Sequence, residues 1–151
     1  MATTTFVDKV TVIPTAWLND TNNSTYGYES LTAAKTLDQE DTGKTFGLNK
    51  AEGAIITLPT CAAAGAGWSC MFRVETTFIT TSWVITATGP LINLRVNEAS
   101  GGAGELDANA TSVNFAFGAE TVGDTIRLST NGSVWFAVGL CDLAIGITAT
   151  A

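Results

Sequence analysis

The side chains in this sequence that could do chemistry are few, and the densest group of them is acidic. Asp38, Glu40 and Asp41 lie close together in the chain. Paired carboxylates can hydrolyse glycosidic bonds, and clustered carboxylates can bind Ca²⁺. The spacing of an EF-hand loop is absent, however, and Lys35 and Lys44 stand nearby. We therefore interpret this group as a solvated acidic turn.

A second candidate for chemistry is the sequence Gly43-Lys44-Thr45, which matches the last three positions of a phosphate-binding P-loop. The motif also needs a glycine five positions before Gly43, where this sequence has Asp38, and a helix after it. No helical pattern follows. We therefore expect a turn that leads into a strand.

Nucleophilic and metal chemistry have little to build on, because the chain contains no histidine. That removes the usual general base and the commonest metal ligand. The three cysteines, Cys61, Cys70 and Cys141, form no CxxC pair. Cys61 and Cys70 would form a disulfide if the stretch between them were a hairpin loop, but buried free thiols are the favoured interpretation. We expect no catalytic residues, no metal and no cofactor, and hence no enzyme.

Composition and charge narrow the class of protein further. The chain has 151 residues, of which 46% are hydrophobic and only 14% are charged, and it is rich in threonine and glycine. This composition predicts one folded all-β domain. A net charge of −7 argues against binding to nucleic acid or to anionic membrane surfaces. The N-terminal residues lack the pattern of a signal peptide, and no apolar run has the length of a membrane span.

Alternation of apolar and polar residues supplies the strand predictions from about Ala54 onward. The residues predicted to share buried faces are Trp68, Cys70, Phe72 and Val74, then Ile92, Leu94 and Val96, then Val113, Phe115 and Phe117, then Ile126 and Leu128. In the run from 134 to 139, Val134, Phe136 and Val138 share one face, while Trp135 and Ala137 make the other face apolar too. Such a strand is central or is covered by a neighbour.

The turn signals between these runs predict the architecture. Asn131-Gly132 is the strongest hairpin signal in the chain. About eight strands after Gly53, at regular spacing, favour an antiparallel β-sandwich or jelly-roll-like domain. Before Gly53, the stretch 29–37 fits a strand better than a short helix. We place a β-sandwich domain at residues 28–151 and an extended N-terminal arm with its linker at residues 1–27.

The predicted arm carries the candidate interface. The apolar residues predicted to form it are Phe6, Val10, Val12, Trp17 and Leu18. They need a covering surface, which is either a neighbouring chain or the arm's own domain, and a strand added to another chain's sheet would supply it. Arg73, Arg95 and Arg127 are predicted to point outward from strands, where they are solvated, pair with acids or mark a partner surface.

The stretch Leu31–Thr77 resembles a segment of virion proteins of tailed bacteriophages. The positions that carry this resemblance are Lys35, Leu37, Asp41, Gly43, Lys44, Phe46 and Leu48, then Gly53, Ile56, Thr57, Leu58 and Pro59. The stretch Val10–Tyr28 is similar to the start of phage fibre and decoration proteins. The resemblance implies a β-sandwich or jelly-roll fold, often trimeric, and no catalytic residues.

Two functions follow as hypotheses. The first is a capsid decoration (cement) protein, made in the host cytoplasm, that binds the phage major capsid protein as a homotrimer on the outer surface of the virion head. The alternative is a tail-fibre or tail-tip domain that binds a host receptor. An enzyme is the least favoured class.

Overall fold

The computed structural model describes residues 27–89, 91–101 and 106–151 of the chain. The strands are β1 (Tyr28–Leu31), β2 (Lys35–Thr36), β3 (Thr45–Leu48), β4 (Ile55–Thr57), β5 (Ser69–Val74), β6 (Trp83–Thr86), β7 (Ile92–Glu98), β8 (Leu106–Ala110), β9 (Ser112–Phe115), β10 (Thr125–Thr130), β11 (Trp135–Cys141) and β12 (Ile147–Thr150). A one-turn helix, α1, spans Cys61–Ala64, and a 3₁₀ turn spans Gln39–Asp41. Apart from Gly27, the predicted arm lies outside the described residues.

The strands form two sheets, which confirms the all-β prediction. The larger sheet has the order β1-β3-β5-β10-β11-β7-β8, and the smaller has the order β12-β9-β6-β4-β2. Residues 29–37 form β1 and β2 rather than a helix, as predicted. β11 lies between β10 and β7, so the strand with two apolar faces is central.

The expectation of antiparallel sheets is wrong, because both sheets are mixed. β1, β3 and β5 are parallel neighbours in the larger sheet, and β2, β4 and β6 are parallel neighbours in the smaller one. From β1 to β7 the chain alternates between the two sheets. Each return up to β6 places a strand beside the one before the last, running in the same direction, whereas β7 pairs with β11 instead. The second half of the chain adds the antiparallel pairs, such as β10 with β11 and β6 with β9.

One hydrophobic core receives side chains from both sheets, and most predicted inward faces are part of it. Its largest fully buried members are Trp83, Trp135, Phe46, Phe72 and Phe115. Trp68 meets Trp135 edge to face at 5.3 Å between ring centroids, and Phe46 stacks on Phe72 at 5.3 Å. Aromatic pairs of this kind stabilise a core beyond the area that they bury.

Two details of the strand predictions need correction. Phe117 is exposed, because β9 ends at Phe115 and the chain turns at Ala116, whose carbonyl accepts hydrogen bonds from the N–H groups of Ala119 and Glu120. β8 was not predicted, so nine strands rather than about eight follow Gly53 in the described residues.

The hairpin predicted at Asn131-Gly132 is confirmed. It joins β10 to β11, with Thr130 opposite Trp135. The loop is therefore longer than the two-residue turn that Asn-Gly favours. Within it, the side-chain oxygen of Asn131 accepts hydrogen bonds from the N–H groups of Ser133 and Val134.

Candidate interaction surface

The outer face of the larger sheet exposes three large apolar side chains on its central strand. Phe136, Val138 and Leu140 are 42%, 44% and 53% exposed, whereas their neighbours Trp135 and Ala137 are buried. Alternate residues of a strand point to opposite faces of the sheet, so the three exposed side chains form a line along one face. We call this line the β11 stripe. Along the stripe, large apolar side chains contact water, and an exposed apolar surface of this kind is a candidate interaction surface.

Two arginines stand on either side of the stripe at its midpoint. Val138 lies opposite Arg127 of β10 and, on its other side, opposite Arg95 of β7. Both arginines are exposed, as the sequence predicted, and neither forms an ion pair with an acidic side chain in the part of the chain that the structure describes. In a chain with a net charge of −7, this places free positive charge at an apolar surface.

Arg73, the third outward arginine, has a partner of its own. Its guanidinium donates to the carboxylate of Glu75 at 2.7 Å, and the hydroxyl of Tyr28 donates to the same carboxylate at 2.5 Å. These hydrogen bonds, first that from Arg73 and then that from Tyr28, hold the pKa of Glu75 below its ordinary value. Arg73 is therefore satisfied within the sheet, unlike Arg95 and Arg127.

A small open depression of about 180 Å³ adjoins the stripe on the side of Arg127. Lys44, Met71 and Arg127 contribute to its wall. Its charged members are cationic, and it is smaller than a typical small-molecule site.

The loops at one end of the two sheets form a second exposed apolar surface. We define the loop cluster as residues 75–82, 116–124 and 142–146. Its exposed large apolar side chains are Ile79, Phe117, Val122, Leu143 and Ile145. The Asp142 N–H donates to the Asp124 carboxylate, and the Ala116 N–H donates to the Gly146 carbonyl at 2.9 Å, so the loops are joined to one another.

Two buried carboxylates organise the loop cluster. Glu120 accepts hydrogen bonds from the N–H groups of Phe78 and Gly118, both at 2.7 Å. Asp124 accepts from the N–H groups of Thr121 and Asp142, at 2.8 and 3.0 Å. Burial raises the pKa of Asp124, and these two hydrogen bonds only partly oppose the shift. Both carboxylates therefore hold backbone N–H groups of the loops in place.

The acidic turn differs from its predicted form, because Asp41 is buried rather than solvated. Its Oδ1 lies 2.8 Å from the Nζ of Lys44 and 3.4 Å from the Nζ of Lys35. Lys35 also contacts Glu29 on β1 at 2.6 Å. Asp38 and Glu40 remain exposed. Lys35 therefore joins the edge strands β1 and β2 through its contacts with Glu29 and Asp41, and the charge of Asp41 is already paired.

The protonation of this ion-pair network follows from competing effects. Burial alone would raise the pKa of Asp41, but the hydrogen bond from Lys44, the hydrogen bond from the Asp38 N–H and the charges of both lysines lower it overall. Burial likewise disfavours the charged form of Lys44, yet Asp41 and its other acidic neighbours raise the pKa of Lys44 overall. Each partner thus keeps the other ionised.

The three cysteines are free and buried, as the favoured interpretation predicted. Burial raises the pKa of the Cys70 thiol well above its ordinary value, and the nearby charge of Asp41 adds to the shift. Burial also raises the pKa of the Cys141 thiol. A thiol reacts as its thiolate, so the raised pKa values of Cys70 and Cys141 disfavour reaction of these two thiols.

Sequence reasoning and structure emphasise different residues. The predicted interface residues Phe6, Val10, Val12, Trp17 and Leu18 lie outside the described residues. Leu140 was missed, although its place two residues after Val138 continues the same alternation. No group of three or more His, Cys, Asp or Glu side chains that could hold a metal ion occurs within residues 27–89, 91–101 and 106–151. No helix among the described residues is long and apolar enough to cross a membrane.

Comparison of the chain with protein-family models, with curated proteins and with solved structures found no match.

Proposed function

We propose that this chain is a structural protein of a tailed-bacteriophage virion, namely a capsid decoration (cement) protein that acts as a homotrimer. In this proposal it binds the major capsid protein on the outer surface of the head, and its two sheets pack as a β-sandwich of jelly-roll type. The phage-like stretch Leu31–Thr77 motivates the proposal. The observation that carries it is the β11 stripe, because its side chains suit contact with protein rather than chemistry.

The energetics of the stripe agree with a binding role. Complete burial of one large apolar side chain is worth about 1.5–3 kcal/mol, and each stripe residue is already about half buried. Covering all three would therefore contribute about 2–4 kcal/mol per copy. A trimer makes such contacts several times at once, so that individually weak contacts sum to firm attachment. A protein that binds only the assembled shell stabilises that shell by mass action.

The phage-like motif itself has a structural reason in this fold. Its apolar members Leu37, Phe46, Leu48, Ile56 and Leu58 are core residues. Its charged members Lys35, Asp41 and Lys44 form the buried ion-pair network. The motif thus supports a shared scaffold and leaves the outer faces free to contact partners.

The loop cluster favours the alternative function, a tail-fibre or tail-tip domain that binds a host receptor. Binding residues are often carried on loops that a rigid scaffold positions, and this cluster exposes Phe117 together with four aliphatic side chains.

The location of the chain in the intact particle tests both functions. Phage particles whose genome encodes the chain would be purified and labelled with gold-conjugated antibody raised against it. We expect labels spaced regularly over the head, and quantitative mass spectrometry should give a copy number that is a simple fraction of that of the capsid protein. Labels confined to the tail would overturn the decoration role in favour of receptor binding. Absence of the chain from the particles would overturn both.

A further inference from the structure

We propose that the β11 stripe is covered by the N-terminal segment of a neighbouring copy, specifically by residues 5–13. The inference rests on the proposed function, because it supplies the contact that would link the copies of the trimer. The charge pattern of residues 5–13 and the length of the chain that connects them to Gly27 both suit this segment to the stripe.

The charge pattern of the segment complements that of the stripe. In an extended chain alternate residues share a face, so Phe6, Asp8, Val10 and Val12 would lie together. The only lysine of the segment, Lys9, would lie on the other face. The segment would then carry the carboxylate of Asp8 within a line of apolar side chains. In the stripe, by contrast, the apolar side chain of Val138 lies between the guanidiniums of Arg127 and Arg95. Arg127 and Arg95 both flank Val138, so either is placed to pair with Asp8.

The connection is long enough for exchange between copies. The described chain begins at Gly27, next to β1 at the edge of the larger sheet. β1 and β11 run in the same direction, and four strand spacings, about 19 Å in all, separate them. Residues 14–26 can extend to about 43 Å. The segment can therefore reach the stripe of an adjacent subunit when that stripe lies within about 43 Å of Gly27.

Exchange between copies also explains how assembly would stop. The donated segment and the receiving stripe are different surfaces, so the contact is head-to-tail. Such contacts close into a ring when each copy gives one segment and receives one. A closed trimer leaves no stripe uncovered.

Site-directed crosslinking tests the proposal. One preparation would carry V10C and a second V138C, and the two would be unfolded, mixed, refolded together and then oxidised. The native thiols are buried and do not compete. We expect a disulfide-linked dimer in the mixture and none in either preparation alone. The matched control replaces V138C by I55C, since Ile55 is 55% exposed on the smaller sheet, and it should give no dimer with V10C.

Further variants separate this contact from unspecific proximity. Reversing both charges with R95E and R127E should lower the yield of linked dimer several-fold, and adding D8K to the segment should restore it. A chain that carries both V10C and V138C should form linked rings or oligomers. A compact intramolecular link instead, with no dimer in the mixture, would show that the segment covers its own domain and would overturn the proposal.

The outcome is independent of the test of the proposed function. If sedimentation gives a trimer but V10C and V138C do not link, the segment is the wrong occupant while a trimeric decoration protein still stands. If the link forms but particles carry no copy of the chain on the head, the assembly contact is correct and the decoration role is wrong.

Discussion

Lys44 donates a hydrogen bond to the buried carboxylate of Asp41 at 2.8 Å. The two residues lie three positions apart in the chain, just before β3. Lys35 approaches the same oxygen from β2. The two lysines therefore share one buried acceptor, and the edge strands of the two sheets meet at this point. Stability should depend on the ionisation of Asp41.

The first prediction concerns D41N. An amide keeps the shape of the side chain but leaves Lys44 without its negative partner and Lys35 with Glu29 alone. Breaking a mostly buried ion pair on one side should lower the free energy of unfolding by about 2–3 kcal/mol at pH 7. Urea denaturation measures this loss. The control is D38N, where the side chain is exposed and its cap bond to the Glu40 N–H can be kept by the amide oxygen. Equal stability of D41N and wild type would contradict the prediction.

The second prediction is the pH dependence of the same pair. The pKa of Asp41 is lowered on folding, so its contribution is complete above its ordinary pKa of 3.8 and is lost as pH falls through the lower folded value. The pKa of Lys44 is raised on folding, so its contribution is lost only as pH rises above 10.5. Asp124, whose pKa is raised, acts in the opposite sense near pH 4.

The measurement is urea denaturation of wild type and D41N between pH 2 and 8. The difference in unfolding free energy between the two proteins isolates Asp41 from Asp124. We expect this difference to shrink as pH falls below about 4. A difference that stays constant down to pH 2 would show that folding does not lower the pKa of Asp41.

The third prediction compares two glycines with positive φ. Gly53 has φ of 67°, and a Cβ there would lie 2.5 Å from the carbonyl oxygen of Ser82. Gly65 has φ of 84°, and a Cβ there would meet nothing within 4 Å. G65A should cost only its backbone conformation (φ of 84°, ψ of 156°), which favours glycine by about 1–3 kcal/mol, whereas G53A should cost at least about 2 kcal/mol more because backbone must move. Thermal unfolding of both variants measures the difference, and equal losses would argue against the close contact at Gly53.

The sequence predicted strands better than it predicted their neighbours, and the reason is physical. Alternation at Ile126 and Leu128 identifies a strand with one buried face, and both residues are buried. The same alternation is compatible with parallel and antiparallel neighbours, so it could not reveal that the chain alternates between sheets from β1 to β7. β8 alternates as Leu-Asp-Ala-Asn-Ala, but it consists mainly of residue types that are depleted in strands, so it was not recognised.

The candidate surface was predictable only in part. The pattern placed Phe136 and Val138 on one face and Trp135 on the other, yet both faces are apolar. Which face lies inside depends on the smaller sheet, which no local pattern specifies. The burial of Asp41 was not predictable for the same reason, because its partner Lys35 contacts it from β2, a strand of the smaller sheet.

The fourth prediction concerns thiol reactivity. All three cysteines are buried, and none belongs to residues 1–26. Ellman's reagent should therefore label no thiol within minutes in the folded protein and three in denaturant. The rate in the folded protein should follow the unfolding equilibrium. One thiol that reacts rapidly without denaturant would contradict the burial of the cysteines.

The fifth prediction separates folding from assembly at the β11 stripe. In V138D the new carboxylate lies between Arg127 and Arg95, and opposite charges in cross-strand positions stabilise a sheet slightly. The free energy of unfolding should thus change by less than about 0.5 kcal/mol. Assembly should weaken, because the variant places a charge in the contact and occupies both arginines. We expect the concentration for half-maximal association to rise about tenfold or more.

Sedimentation velocity over a concentration series measures this shift, and urea denaturation verifies the fold. I55D is the matched control, since Ile55 is exposed to a similar degree on the other sheet and should associate like wild type. If V138D and I55D associate equally well, the stripe is an ordinary solvent-exposed face. If both variants lose assembly, self-association uses the smaller sheet as well, and the stripe does not determine it.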